Sequence, residues 1–173
     1  MESQFKYWEI ENYERISAYD GREDDLSGIL KGRYPDNMNS REVGCTTSHL
    51  KAIKHYLDTS DSPYAVIMED DCSLDLVRYW NFTWNDLYGY FPYDWDVVQM
   101  AIITGDIHVK LHKRFVNDFS TACYVITRYH AEKLVRLHCR GDKYKLDQQV
   151  KPRPVADDLI YNSGNTFAIP LLL

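Results

Sequence analysis

The run Tyr64-Ala65-Val66-Ile67-Met68 leads without a break into Glu69-Asp70-Asp71. Residues 64 to 69, with the β-branched Val66 and Ile67, read as a buried strand. A strand normally closes on a turn residue, whereas three adjacent carboxylates repel one another. A cation relieves that repulsion. Hard divalent ions such as Mn²⁺ or Mg²⁺ prefer oxygen ligands and recruit substrate phosphates to complete their shell. In open α/β sheets, ligands gather at the carboxyl ends of the strands. A solvated acidic turn is the competing reading.

Helices and strands alternate around this run. Residues 5 to 17 read as a helix or an irregular lead-in, and 20 to 40, rich in Asp, Gly, Asn and Pro, as a loop. A helix is expected over 41 to 57, with Leu50, Ile53 and Leu57 on one face. A helix or turn region over 74 to 88 follows the acidic triplet. Strands are expected at 95 to 103, 109 to 115 and 121 to 127, with a turn at Thr104-Gly105-Asp106. A helix over 129 to 138, a polar loop over 140 to 154 and a short helix from Asp157 to Tyr161, capped by Ala156-Asp157, complete the series. The alternation indicates an α/β domain with a mainly parallel sheet. The apolar end, Ile169-Pro170-Leu171-Leu172-Leu173, reads as a free tail, odd for a soluble domain.

The chain's 173 residues suit one domain, 1–173, with a real core. A hydrophobic content of 45% excludes disorder. A formal net charge of −6 argues against a nucleic-acid partner, which calls for a basic face. The 14 tyrosines would suit stacking on sugar rings, although most are expected to be half-buried core residues. Cys45, Cys72, Cys123 and Cys139 form no Cys-x-x-Cys pair, which disfavours zinc. The first three are expected to be buried thiols, and a reducing, cytoplasmic compartment is weakly favoured. Asn81-Phe82-Thr83 matches a glycosylation sequon, a common chance match. No leader and no run of 18 apolar residues is present, so the chain is expected to be soluble, with no transmembrane segment.

Taken in order, several motifs resemble glycosyltransferase family 25, the lipopolysaccharide and collagen galactosyltransferases. They are Glu14-Arg15 with Ala18-Tyr19-Asp20-Gly21, then Arg41, Gly44-Cys45 and Ser48-His49, then Glu69-Asp70-Asp71. Asp94-Trp95-Asp96, Tyr124-Val125-Ile126-Thr127, Ala131-Glu132-Lys133-Leu134 and Asp157-Asp158 follow. The resemblance implies a GT-A-like fold, a Rossmann-like mixed sheet flanked by helices. It covers nearly the whole chain but departs at the start, where the family's first, nucleotide-seating strand is missing. A fragment cut at both ends or a shortened relative is therefore expected.

The implied chemistry moves a hexose, galactose or glucose, from a UDP-sugar to a hydroxyl, with inversion. The acceptor would be a glycan, a lipid-linked sugar or a hydroxylysine-type protein site. Such transfer needs stabilisation of the leaving diphosphate, a base on the acceptor hydroxyl and in-line positioning. A divalent cation supplies the first as a Lewis acid. Alternate residues of a strand share a face, which would place Glu69 and Asp71 together. Asp71, with Glu69, is the expected metal ligand. Glu69 and Asp70 are expected at the ribose or a metal water, Arg41 at a phosphate, and Gln99 at the donor. Asp157 and Asp158 are the candidates for the base, an N-terminal helix cap being the competing role. One of Asp94 and Asp96 is expected to face the site. His49 is expected to be buried and to support the acidic strand, since the adjacent Ser48 cannot face it on a helix. Lys110, Lys113 and Arg114 read as a solvated edge strand. Two other classes remain: a non-catalytic domain of this fold serving in binding or assembly, and a metal-dependent phosphoesterase, for which the scattered His and Asp ligands are lacking.

Overall fold

The structure, a computed structural model, describes residues 1–23, 25–103, 109–146 and 150–172. Its elements are α1 (Glu2–Tyr7), α2 (Ser40–Thr59), β1 (Tyr64–Met68), α3 (Trp84–Gly89), β2 (Val97–Ala101), β3 (His112–Lys113), β4 (Cys123–Thr127), α4 (Arg128–His138), β5 (Cys139–Arg140), β6 (Lys143–Tyr144), α5 (Ala156–Tyr161) and β7 (Thr166–Leu172). Short 3₁₀ turns stand at Leu26–Ile29 and Asp75–Tyr79. The turn expected at Thr104-Gly105-Asp106 lies outside the described residues. The fold is α/β, and the chain divides into two compact units, each assembled from separate segments.

One unit comprises Met1–Arg15, Val66–Ile126 and Asn165–Leu173. It carries a five-stranded sheet in the order β1-β4-β2-β7-β3. β2 pairs antiparallel with β4 and parallel with β7, and β3 runs antiparallel to β7. At the β1 end, Glu69 N–H donates to Ala122 O at 2.8 Å and Arg128 N–H to Pro63 O at 2.8 Å, so β1 and β4 are antiparallel. The sheet is therefore mixed, with β2·β7 as its parallel pair, and not mainly parallel as the alternation suggested.

Two expectations change with this topology. β1 is an edge strand, and Val66 is 44% exposed, so the apolar run is not buried on both faces. The apolar end is not a tail: Thr166–Leu172 forms β7, between β2 and β3, with Ala168, Leu171 and Leu172 buried. Its register slips between Gln99↔Ala168 and Ala101↔Leu172. Pro170 lies in the excess stretch, where its missing N–H breaks no regular ladder bond. β2 is buried throughout, Gln99 included.

The other unit comprises Ile16–Ala65 and Thr127–Gly164. α2 packs against α4 and α5. It begins where Asn39 and Glu42 close a capping box, the Asn39 side chain accepting from Glu42 N–H and Glu42 accepting from Asn39 N–H. Val43, Leu50 and Ile53 of its apolar face are fully buried. In α4, Ala131 and Leu134 are fully buried as well, and Thr127 caps the first turn. The ribbon β5–β6 turns at Gly141, whose φ of +65° suits glycine. A bridge joins Leu30 to Tyr144.

The segment before α2 is laid along it by glycine contact. A Cβ on Gly21 would meet Ser40 O at 2.1 Å, and one on Gly44 would meet Tyr19 O at 2.9 Å. Tyr19 N–H donates to Ser48 Oγ at 2.8 Å, and Lys51 Nζ to Ser17 O at 2.8 Å. Residues 17–21 and the motif Gly44-Cys45-Thr46-Thr47-Ser48, separate in sequence, are thus in backbone contact. All four cysteines are free; Cys45 is exposed, against expectation, because it faces away from the buried stripe of α2.

Candidate functional site

Glu69 stands one residue past the end of β1. Its N–H continues the ladder to Ala122 O, and its Oε1 accepts from Thr121 Oγ1 at 2.7 Å. The chain then turns. Cys72 N–H returns to Glu69 O at 3.3 Å, which puts Asp70 and Asp71 at the two central positions of a β-turn. The strand alternation that would place Glu69 and Asp71 on one face stops at Met68. Both aspartates are exposed, and no ion pair holds either one among the described residues.

Both sides of the turn are fixed. Behind it, Gln4 of α1 brackets the next residues, donating from Nε2 to Cys72 O at 3.2 Å and accepting at Oε1 from Leu74 N–H at 2.6 Å. Beside it, interaction with the Cys72 thiol and burial hold the Cys123 thiol well above its usual value. Ser120, just before Thr121, has φ +121°, a conformation that a side chain makes costly. Its carbonyl accepts from Gln99 Nε2 at 2.8 Å.

Gln99 is thus at the same end of the sheet as the acidic turn, linked to it through residues 120–121. Its side chain is fully buried, and Nε2 faces the carbonyls of Ala101, Asp118 and Ser120. Oε1 is buried with no hydrogen-bond partner among the described residues. The amide thus ties β2 to the 118–121 segment. Asp94 and Asp96 precede β2, at the other end of the sheet from Glu69, so neither faces the acidic turn. Asp96 Oδ2 accepts from Asn165 N–H at 2.7 Å, and Asp94 O accepts from Asn165 Nδ2 at 2.8 Å, which together join the starts of β2 and β7.

The second unit holds the remaining candidates. Arg41 is exposed in the first turn of α2, an unfavourable end of the helix for a cation. Its charge adds to the hydrogen bonds from the Arg22 side chain and backbone that draw the Asp20 carboxyl down to about 2. His49 is buried. Ser48 accepts from Tyr19 N–H and donates to Gly44 O at 2.6 Å, a structural role.

Asp157 and Asp158 lie in the first turn of α5. The N-cap is Val155 and no side chain caps it, so the capping expected of Ala156-Asp157 does not form. Asp158 is buried and accepts from Arg153 N–H at 3.2 Å and from Asn162 Nδ2 at 3.1 Å. Asp157 is half-buried. Arg153, unmarked in sequence except by its flanking prolines, donates to both Glu42 oxygens at 2.8 and 2.7 Å and to Asn37 O. Partial burial acts to raise the Glu42 carboxyl. The Asn39 N–H bond and the bond and charge of Arg153 outweigh it, and the net shift is downward.

A carboxylate depressed in the folded state contributes stability that is complete above its unfolded value, roughly 4, and lost as pH falls toward its folded value. Asp20 and Glu42 are both of this kind. Acid unfolding should therefore develop below about pH 4. Arg153→Gln should move its onset to higher pH, read by circular dichroism. An unchanged acid transition would show that the Arg153–Glu42 pair does not hold α2 to the 151–158 segment.

Chemically, the acidic turn offers hard oxygen ligands: Asp70 and Asp71 are exposed, and Glu69 is held by Thr121. Carboxylate oxygens are the ligand type that a hard divalent cation takes. Compared with known proteins, the chain matches no family model and no curated sequence.

Proposed function

We propose that the protein is a metal-dependent glycosyltransferase that moves a hexose from a UDP-sugar to an acceptor hydroxyl, on a GT-A-like sheet. The observation that carries this reading is the acidic turn at the end of β1, with Glu69 held by Thr121 and Asp70 and Asp71 exposed without cationic partners. Three neighbouring carboxylates are costly to keep together unless a cation joins them. Asp71 and Glu69 would hold Mn²⁺ or Mg²⁺, which supplies Lewis acidity toward a leaving diphosphate. Asp70 would take the ribose or a metal water. Arg41 would take a phosphate oxygen, which a guanidinium binds through paired N–H groups. Of the two late aspartates, Asp157 is the better base, because it is only half-buried whereas Asp158 is buried. The contact between residues 19–21 and 40–48 gives a physical reason for glycine at Gly21 and Gly44.

Calorimetric titration of UDP with and without Mn²⁺, on the wild type and on Asp71→Ala, tests the proposal. Mn²⁺-dependent UDP binding is expected in the wild type and its loss in the variant, with an unchanged circular dichroism spectrum. Equal affinity in the two proteins would sink the metal site, and no UDP binding in either would sink the transferase reading. The second reading, a non-catalytic binding or assembly domain, draws on the exposed edge of β1. It predicts that UDP has no effect on the protein at all.

A further inference from the structure

Residues 109–119 present apolar side chains in a place where water should select against them. The segment closes in a β-turn. Asp118 N–H donates to Phe115 O at 3.0 Å, and Phe115 N–H donates to Asp118 Oδ2 at 2.7 Å. Its central positions are Val116 and Asn117; Asn is usual in a turn, whereas Val is not. Val109, Phe115, Val116 and Phe119 are each more than half exposed, the least being Phe119 at 54%. Phe119 pairs across a bridge with Ile103, itself 74% exposed. Scattered apolar residues on a surface are ordinary; a cluster on one short segment marks a contact surface.

The display is rigid. His112 Nε2 lies 3.1 Å from Asp118 Oδ2, and its ring stacks on Phe115 at 5.3 Å. Arg114 Nη2 and Gln99 Nε2 both donate to Asp118 O, the latter from the core of the sheet. β3 fixes the base of the segment against β7.

The charge of the segment narrows the partner. In a chain of net charge −6, residues 109–119 carry Lys110, Lys113 and Arg114 against one carboxylate, the buried Asp118. Lys110 and Lys113 are exposed. A second copy meeting this patch about a two-fold axis would set cations against cations. An anionic bilayer instead offers negative headgroups to the lysines and an apolar layer to Phe115 and Val116. We propose that residues 109–119 dock the protein onto anionic lipid surfaces, with the 115–118 turn entering the headgroup boundary.

Sedimentation of the full chain with vesicles tests this. Binding is expected to phosphatidylcholine vesicles containing phosphatidylglycerol, weakened by salt, with little to phosphatidylcholine alone. Lys110→Gln with Lys113→Gln should weaken binding by about thirtyfold. Phe115→Ser with Val116→Ser should weaken it by about tenfold or more. The lysine pair is exposed and keeps the test valid should the apolar pair disturb the turn. Asp71→Ala should bind like the wild type, which separates this proposal from the transferase reading. Equal binding to both vesicle types, no binding, or indifference to the lysine variant would overturn it. So would a concentration-dependent dimer, seen by light scattering and abolished by Val116→Asp, in a protein that ignores vesicles.

Discussion

Gly21→Ala is expected to remove about 3 kcal/mol or more of stability, which for a chain of this size lowers the thermal midpoint by about 6–12 °C. The added methyl would stand 2.1 Å from Ser40 O, 2.5 Å from Ser40 C and 2.8 Å from Arg41 Cα. All three are backbone atoms at the start of α2, so no side-chain rotation relieves the clash. Either the helix start or the 19–21 segment must move, and the Tyr19–Ser48 bond would be strained with it. Gly44→Ala meets Tyr19 O at 2.9 Å and Gly21 N at 3.0 Å, and should cost less. Gly28 has nothing within 4 Å of a Cβ, so Gly28→Ala is the control. A Gly21→Ala protein melting with the wild type would mean that residues 19–21 do not lie against α2.

The two late aspartates should separate under substitution. Asp158→Ala leaves Arg153 N–H and the Asn162 amide without their buried acceptor, and should cost about 2 kcal/mol. Asp157 is only half-buried, so Asp157→Asn should cost less stability than Asp158→Ala. If Asp157 is the base, the same change should slow transfer by about 10²–10⁴-fold, measured as UDP released from a UDP-hexose in the presence of acceptor. A stable but inactive Asp158→Asn beside a fully active Asp157→Asn would reverse the assignment.

Local signals carried much of this fold into the sequence. α2, expected over 41 to 57, spans Ser40–Thr59, because an apolar stripe follows a clear capping pair. β4 announced itself as an apolar run, and β2 as one broken only by Gln99. β7 was illegible for a physical reason. A buried strand has no alternation to read, and Pro170 argues against a central strand unless a register slip accommodates it, which sequence does not display. The same limit applies to β1: its composition announced a strand but not its place at the edge.

The site was legible as chemistry but not as geometry. Glu69-Asp70-Asp71 was visible, whereas the Thr121 and Gln4 side chains that fix its surroundings lie 52 and 70 residues from their partners Glu69 and Leu74. Gln99 was placed at the correct end of the sheet, yet nothing in sequence reveals that its amide is spent on three carbonyls. Asp94 and Asp96 were misplaced because only strand direction shows which end of β2 they occupy.

The sheet order also bears on how the chain is made. β7 is the last of the five strands to leave the ribosome, yet it sits between β2 and β3, both synthesised long before it. Until it arrives, β2 has one unpaired edge and β3 has no neighbour. The parallel β2·β7 pair also closes a loop of some seventy residues, such as Val97 to Thr166, a slow step in any topology of high contact order. A nascent chain would therefore hold an apolar, half-finished sheet open from the completion of β4 until β7 arrives, the state in which strand edges recruit wrong partners. Yield in a cell should then depend on elongation speed and chaperone supply more than on the stability of the finished protein.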